Sequence, residues 1–202
     1  MRLLLIVTIV VTPLAILTIL DAEAAAFDPE ARFARGTWMA SFEGGAGTVT
    51  NIETKHHPSD IELWYLGVRL SLLPFPPVLP RPLHGALEIG LEPLYQRYTR
   101  PEKAFYAGLA LVGRYHFLAL GRLVPYIEAA GAAGGTDLTI PEIDSAFAFW
   151  VAGGFGASFF VTDTVAVYAG YRLVHVSNGD TSRPNRGFEV STGVAGVSFF
   201  FK

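Results

Sequence analysis

The 202-residue chain contains no cysteine. That excludes disulfides, thiolate metal sites, a cysteine nucleophile and a lipid-modified N-terminal cysteine. Charge is also scarce. Only 16% of residues are charged while 51% are hydrophobic, whereas soluble domains carry about 25% charged residues. Part of the surface therefore faces something other than water. The net charge of −3 leaves no basic footprint for nucleic acid. No helix-period pattern of useful length runs through residues 27–202. No glycine-rich loop follows a strand and opens a helix, so no nucleotide cofactor is implied. His56-His57-Pro58-Ser59-Asp60 lacks further converging ligands and reads as a solvated loop, so neither a metal nor any other cofactor is expected.

Residues 1–26 have the layout of a secretory signal. Arg2 precedes an apolar run from Leu3 to Leu20. Ala22-Glu23-Ala24 and Ala24-Ala25-Ala26 offer small residues for cleavage after about Ala24 or Ala26. An uncleaved membrane anchor is the other reading of this run. Pro13 and the alanine-rich exit favour cleavage, leaving residues 27–202 as one domain.

In that domain, apolar residues recur with period two. Gly, Pro, Asp and Asn interrupt the pattern at intervals. Eight strands follow, at 37–47, 61–73, 85–98, 104–118, 123–134, 146–161, 164–177 and 187–201. They are longer than the usual soluble strand of about 5–6 residues and suit tilted membrane-spanning strands of about 9–11 or more. Their two faces differ in kind. In the second, Trp64, Leu66, Val68, Leu70 and Leu72 alternate with Tyr65, Gly67, Arg69 and Ser71. In the seventh, Val165, Val167, Ala169, Tyr171 and Leu173 alternate with Ala166, Tyr168, Gly170 and Arg172.

The expected fold is all-β, an eight-stranded antiparallel transmembrane β-barrel of the outer-membrane type, apolar toward lipid and polar or small toward the lumen. Glu88, Glu92, Arg114, Glu128 and Arg172 should pair inside it, with Arg69 within reach, because a lone buried charge is too costly. This interior pairing is preferred to a catalytic carboxylate pair at Glu88 and Glu92. His84 and His116 stand alone in the sequence and read as structural. Trp38, Trp64, Tyr98, Phe105, Tyr126, Trp150, Phe199, Phe200 and Phe201, near strand ends, are expected in interfacial girdles. A soluble barrel would need more charge opposite the bulky face, and a helical bundle does not fit the alternation. An even strand number puts both termini at the periplasmic end. Links 48–60, 99–103, 135–145 and 178–186 then face outward. The proline-rich link 74–82 is long for a periplasmic turn.

One stretch carries chemistry: His175-Val176-Ser177-Asn178-Gly179-Asp180, then Pro184-Asn185-Arg186-Gly187-Phe188-Glu189. It ends the seventh strand and begins the eighth. His175 and Ser177 share a strand face, about 6.6 Å apart along the axis. By parity that face continues Tyr171 and Leu173, toward lipid. If Ser177 opposes Gly187, His175 lies directly opposite Glu189, with Cβ atoms about 4.5–5.5 Å apart. A serine needs a base, and the base needs an orienting acid; these three residues supply the parts. Asn178, Gly179 and Asn185 lie close enough to offer amide donors to an oxyanion. The same residues also read as interfacial polar groups around an Asn-Gly-Asp turn. Against that, a histidine and a carboxylate aimed toward lipid need a reason.

His175-x-Ser177-Asn178 followed by Pro184-Asn185-x-Gly187-x-Glu189 resembles the lipid A 3-O-deacylase (PagL) family. The likeness extends more weakly through Leu91-Glu92-Pro93-Leu94-Tyr95 and Val124-Pro125-Tyr126-Ile127-Glu128. Arg186 stands where the family often has proline. The resemblance implies an eight-stranded barrel in the outer membrane of a Gram-negative bacterium that hydrolyses the 3-O-linked acyl ester of lipid A, the lipid of lipopolysaccharide. Ser177 is then the nucleophile, His175 the base and Glu189 the orienting carboxylate, at the end facing the outer leaflet. Asn178, Gly179 and Asn185 map to the oxyanion region. Two other functions fit a small outer-membrane barrel: a non-enzymatic role in adhesion or membrane integrity, and an acyltransferase using an acceptor other than water.

Overall fold

The computed structural model describes residues 27–50, 52 and 59–202. The expected signal segment 1–26 and the His56-His57 pair lie outside the described residues. Eight long strands form a closed antiparallel barrel: β1 (Trp38–Val49), β2 (Glu62–Leu72), β3 (Gly85–Arg100), β4 (Phe105–Phe117), β5 (Leu123–Thr136), β8 (Phe147–Phe160), β9 (Val165–Ser177) and β10 (Phe188–Phe201). Each barrel strand pairs with its neighbour in sequence, and β10 closes on β1 from Trp38↔Phe201 to Val49↔Val190. Closure leaves no free edge, so every strand's backbone groups can be satisfied in a solvent that offers none. Two further strands, β6 (Thr139–Ile140) and β7 (Ile143–Asp144), pair as a separate hairpin between β5 and β8. The 135–145 link, expected to be open, thus carries strands of its own.

The alternation falls as expected. Leu66, Val68, Leu70, Ile89, Leu91, Leu109, Leu111, Val151, Phe155 and Val167 stand exposed on the outer wall. A water-soluble protein does not display such a belt, whereas hydrocarbon accepts it. Trp38, Trp64, Phe199 and Phe201 are also exposed. Tyr98, Tyr126, Trp150 and Phe200 are not: all four are buried, on the inward side of their strands. Parity decides this. Tyr126 shares a face with Glu128, and Tyr98 with Glu88 and Glu92, so the pleat turns them away from lipid.

Inside, charge is concentrated and paired. Arg69 meets Glu43 at 3.5 Å, Glu88 at 3.2 Å and Glu92 at 3.4 Å. Arg114 binds Glu128 at 2.7 Å, and Arg172 binds Glu128 at 2.6 Å and Glu43 at 2.5 Å. The hydroxyls of Tyr65 and Tyr168 also donate to Glu43. Arg114 stacks on the Tyr126 ring, 4.0 Å from its centroid. His116 does not stand alone; it bonds Glu88 at 2.7 Å. Glu43, the hub of this network, escaped notice in the sequence. Removing any single partner would unbalance this buried charge, and breaking a buried ion pair typically costs about 3–5 kcal/mol.

The two ends are closed differently. At the end bearing the C-terminus, a single helical turn α1 (Pro29–Arg32) is capped by Asp28, whose carboxylate accepts from the Glu30 and Ala31 amides. It delivers Phe33, fully buried, against Phe160, Phe200 and His116. His84 in the 73–84 link donates to the Leu79 carbonyl and pairs with Glu30. At the other end, Leu138, Ile140 and Ile143 from the β6–β7 region bury themselves with Trp150, Val176 and Phe188. The hairpin thus seals the mouth beside the β9–β10 link.

Candidate active site

The β9–β10 ladder sets the geometry. Its register places Glu189 directly opposite His175, and Phe188 opposite Val176. One further step puts Gly187 opposite Ser177. His175, Ser177 and Glu189 all fall on the outward parity, while Val174 and Val176 are buried inside. The His175 side chain is 44% exposed and that of Glu189 is 24% exposed. Both therefore open onto the outer wall.

His175 Nδ1 lies 2.9 Å from Glu189 Oε1. With the Nδ1 proton donated to the carboxylate, Nε2 carries the lone pair and can act as a base. The other edge of the ring rests over Gly187. A Cβ at that position would sit 2.8 Å from His175 Cε1 and 3.1 Å from Nε2. Gly187 also has φ +67°, a left-handed conformation that glycine adopts without penalty. So Gly187 serves twice: it turns the chain and leaves room for the imidazole.

Ser177 Oγ forms no hydrogen bond to the ring. The two side chains share a face and a strand, with the separation along the axis that two residues impose. The structure brings the acid and the base together and leaves the hydroxyl beside them. Phe149 and Val151 of β8 stand opposite Ser177 and His175 in register. Both are exposed, so the polar group is flanked by apolar wall.

The loop after Ser177 is held by its own amides. Asn178 is fully buried. Its side-chain nitrogen donates to Ser182 O at 3.0 Å and Ser182 Oγ at 2.9 Å. Its backbone N–H donates to Asn185 Oδ1 at 2.9 Å, and Asn185 Nδ2 reaches Asp180 Oδ1 at 3.2 Å. Both asparagine side chains are thus engaged in shaping the loop. Gly179, at φ +64°, follows directly, and its N–H bonds to no other described residue.

The β6–β7 hairpin braces this loop, and sequence reading missed it. The Glu142 carbonyl accepts from Arg186 N at 2.8 Å and Gly187 N at 3.2 Å. Its carboxylate accepts from Ser59 N and Ser59 Oγ, each at 2.8 Å. Ser182 Oγ donates to the Asp144 carbonyl, and Ile143 bridges Asn185. The signal was present in Thr139-Ile140-Pro141-Glu142-Ile143-Asp144, a two-residue turn between apolar positions. Among the described residues no cluster of side chains could hold a metal ion.

The family model for lipid A 3-O-deacylase (PagL) matches residues 64–198. Among solved structures, the outer membrane enzyme PagL aligns with a TM-score of 0.62 at 18% identity, over 77% of this chain and 97% of that one. Neisserial surface protein A (NspA) aligns with a TM-score of 0.50 at 18% identity, over 83% of this chain and 100% of that one. No curated protein matches the chain significantly in sequence. At these identities the solved structures speak for the barrel alone, and the family match speaks for the chemistry.

Proposed function

The chain belongs to the lipid A 3-O-deacylase (PagL) family, ester hydrolases of the outer membrane, and we propose that Ser177, His175 and Glu189 carry out that hydrolysis here. The reading rests above all on one observation: the 2.9 Å bond between His175 Nδ1 and Glu189 Oε1 on the outward wall, two residues along the strand from a serine.

The chemistry follows from the parts. His175 Nε2 takes the proton of Ser177 Oγ as the oxygen attacks the acyl carbonyl. A modest rotation of the serine, made as substrate docks, closes the gap; catalytic hydrogen bonds often tighten only in the complex. Glu189 stabilises the imidazolium and fixes its tautomer. The tetrahedral oxyanion accepts from the Gly179 N–H. The imidazolium then protonates the departing 3-hydroxyl oxygen of the sugar. Water, deprotonated by the same imidazole, releases the acyl chain from Ser177. Phe149 and Val151 offer the acyl chain an apolar track along the barrel. The active end faces the outer leaflet, where lipid A esters lie just below the sugar. The chain's N-terminal 26 residues act as a cleaved export signal.

Lipid A from cells making the wild type and Ser177→Ala tests this by mass spectrometry, with folding checked by heat-modifiable gel mobility. The wild type should remove one ester-linked hydroxyacyl mass. Ser177→Ala should remove none, its rate falling by at least about 10³-fold. A folded Ser177→Ala barrel that still deacylates would end the nucleophile assignment. Transfer of the acyl group to another lipid, in place of free fatty acid, would make the protein an acyltransferase.

A further inference from the structure

A second, basic feature borders the triad. Asp180, Arg183, Pro184, Asn185 and Arg186 line a cavity of about 370 Å³ in the β9–β10 loop. Arg186 directly precedes Gly187, over which the His175 ring lies. The cavity lining therefore reaches the residue next to the one beneath the imidazole. Both arginines are exposed.

The described acids at this end of the barrel are already engaged. Asp60 and Glu62 hold Arg100. Glu102 and Asp137 accept from the Thr139 and Phe105 amides. Glu142 holds Ser59, and Asp144 accepts from the Thr139 hydroxyl. Asp180 Oδ1 accepts from Asn185. Neither Arg183 nor Arg186 makes an ion pair or side-chain hydrogen bond with any described residue. The cavity wall thus carries two uncommitted cations against one carboxylate. Guanidinium groups present planar donor forks that match phosphate oxygens. A cavity of this size exceeds a bare phosphate and has room for part of a phosphorylated sugar.

We infer that Arg183 and Arg186 form a subsite for a phosphate ester carried by the lipid's sugar headgroup. The inference rests on the lipid A reading of the triad. Bound there, the phosphate fixes the sugar while its 3-O-ester lies against Ser177. Either phosphate of a bisphosphorylated glucosamine disaccharide has the required chemistry: the one on the sugar that carries the cleaved ester, or the one on the second sugar.

The test uses the full-length barrel in mixed detergent micelles and three lipids: bisphosphorylated lipid A and the two monophosphorylated forms. The Arg183→Ala/Arg186→Ala double variant should lose about 10- to 100-fold in kcat/KM on the bisphosphorylated lipid, mainly through KM, since each charge-assisted bond contributes about tenfold. The loss should vanish on the lipid that lacks the recognised phosphate, which identifies the source. Added salt should shrink the difference. Lipid binding by Ser177→Ala, with and without the two arginines, reads the subsite without catalysis. Equal losses on all three lipids, or no loss, would overturn the subsite. If the wild type cleaves no ester yet binding depends on phosphate and both arginines, the subsite stands and the esterase reading falls. If cleavage proceeds and phosphate makes no difference, the reverse holds.

Discussion

Among the described residues, two histidine–glutamate pairs form between barrel strands, and only one of them opens onto the outer wall. His116 bonds Glu88 at 2.7 Å inside the lumen. His175 bonds Glu189 at 2.9 Å on the outer wall. A serine accompanies each, since Ser71 Oγ donates to Glu88 at 2.7 Å. The residue types are the same, yet the inner set is inert by construction. Its side chains are only 3% and 2% exposed, its serine bonds the acid and not the base, and Arg69 claims the same carboxylate at 3.2 Å. The outer set has a carboxylate that serves one imidazole and a ring open to a ligand. Order of connection and access, more than composition, separate the two sets.

The comparison breaks first under exchange of carboxylate for amide. Glu189→Gln should lower the turnover rate by about 10²–10⁴-fold while leaving stability within about 1 kcal/mol. Glu88→Gln should do the opposite. It takes from Arg69 the nearest of its carboxylates and from His116 its acid, and should cost about 3–5 kcal/mol, read as a lower temperature for loss of the compact gel form, with the folded fraction still active. Turnover lost equally in both would show that the outer pair acts only as a strut. Next comes glycine. Gly187→Ala should reduce kcat by about 10- to 100-fold, because its Cβ displaces the His175 ring and strains the backbone at a φ of +67°. Gly36→Ala is its control. Gly36 also has positive φ, but nothing lies within 4 Å of its Cβ position, so stability should fall by about 1 kcal/mol with kcat unchanged.

A weaker effect is expected at the brace. Glu142→Gln keeps the carbonyl that holds Gly187 but loses one of the two Ser59 bonds. A loss of about 1 kcal/mol should appear as a several-fold fall in kcat, with KM steady. The smallest effect belongs to the far end. The Leu79 carbonyl and Glu30 hold the protonated form of His84 and raise its pKa. A raised folded pKa adds stability that is fully present below the unfolded value near 6.5 and disappears as pH rises through the folded pKa. Melting followed from pH 5.5 to 8.5 should therefore fall slightly in the wild type and stay flatter in His84→Gln. The group is exposed, so the difference should be small.

Much of this was readable without coordinates. Period-two alternation with bulky residues on one parity fixes which face meets lipid, and a register set by Gly187 fixes His175 opposite Glu189. All eight barrel strands begin and end within two residues of their predicted limits. The misses have different causes. Tyr126 and Trp150 were assigned by residue type when their parity already turned them inward. Glu43 and Glu142 act through partners distant in sequence, Arg172 and Ser59, and no local pattern announces such contacts. Phe33 fills the barrel end only because a single helical turn carries it there, and four residues leave too little periodicity to read.

The outward parity of His175 and Glu189 also bears on how the proposed site is assayed. A site that opens sideways into a bilayer meets its lipid by lateral diffusion in two dimensions. Its effective substrate concentration is a mole fraction in the leaflet and not an amount per litre. Diluting membranes with buffer leaves that fraction unchanged, whereas diluting them with inert phospholipid lowers it.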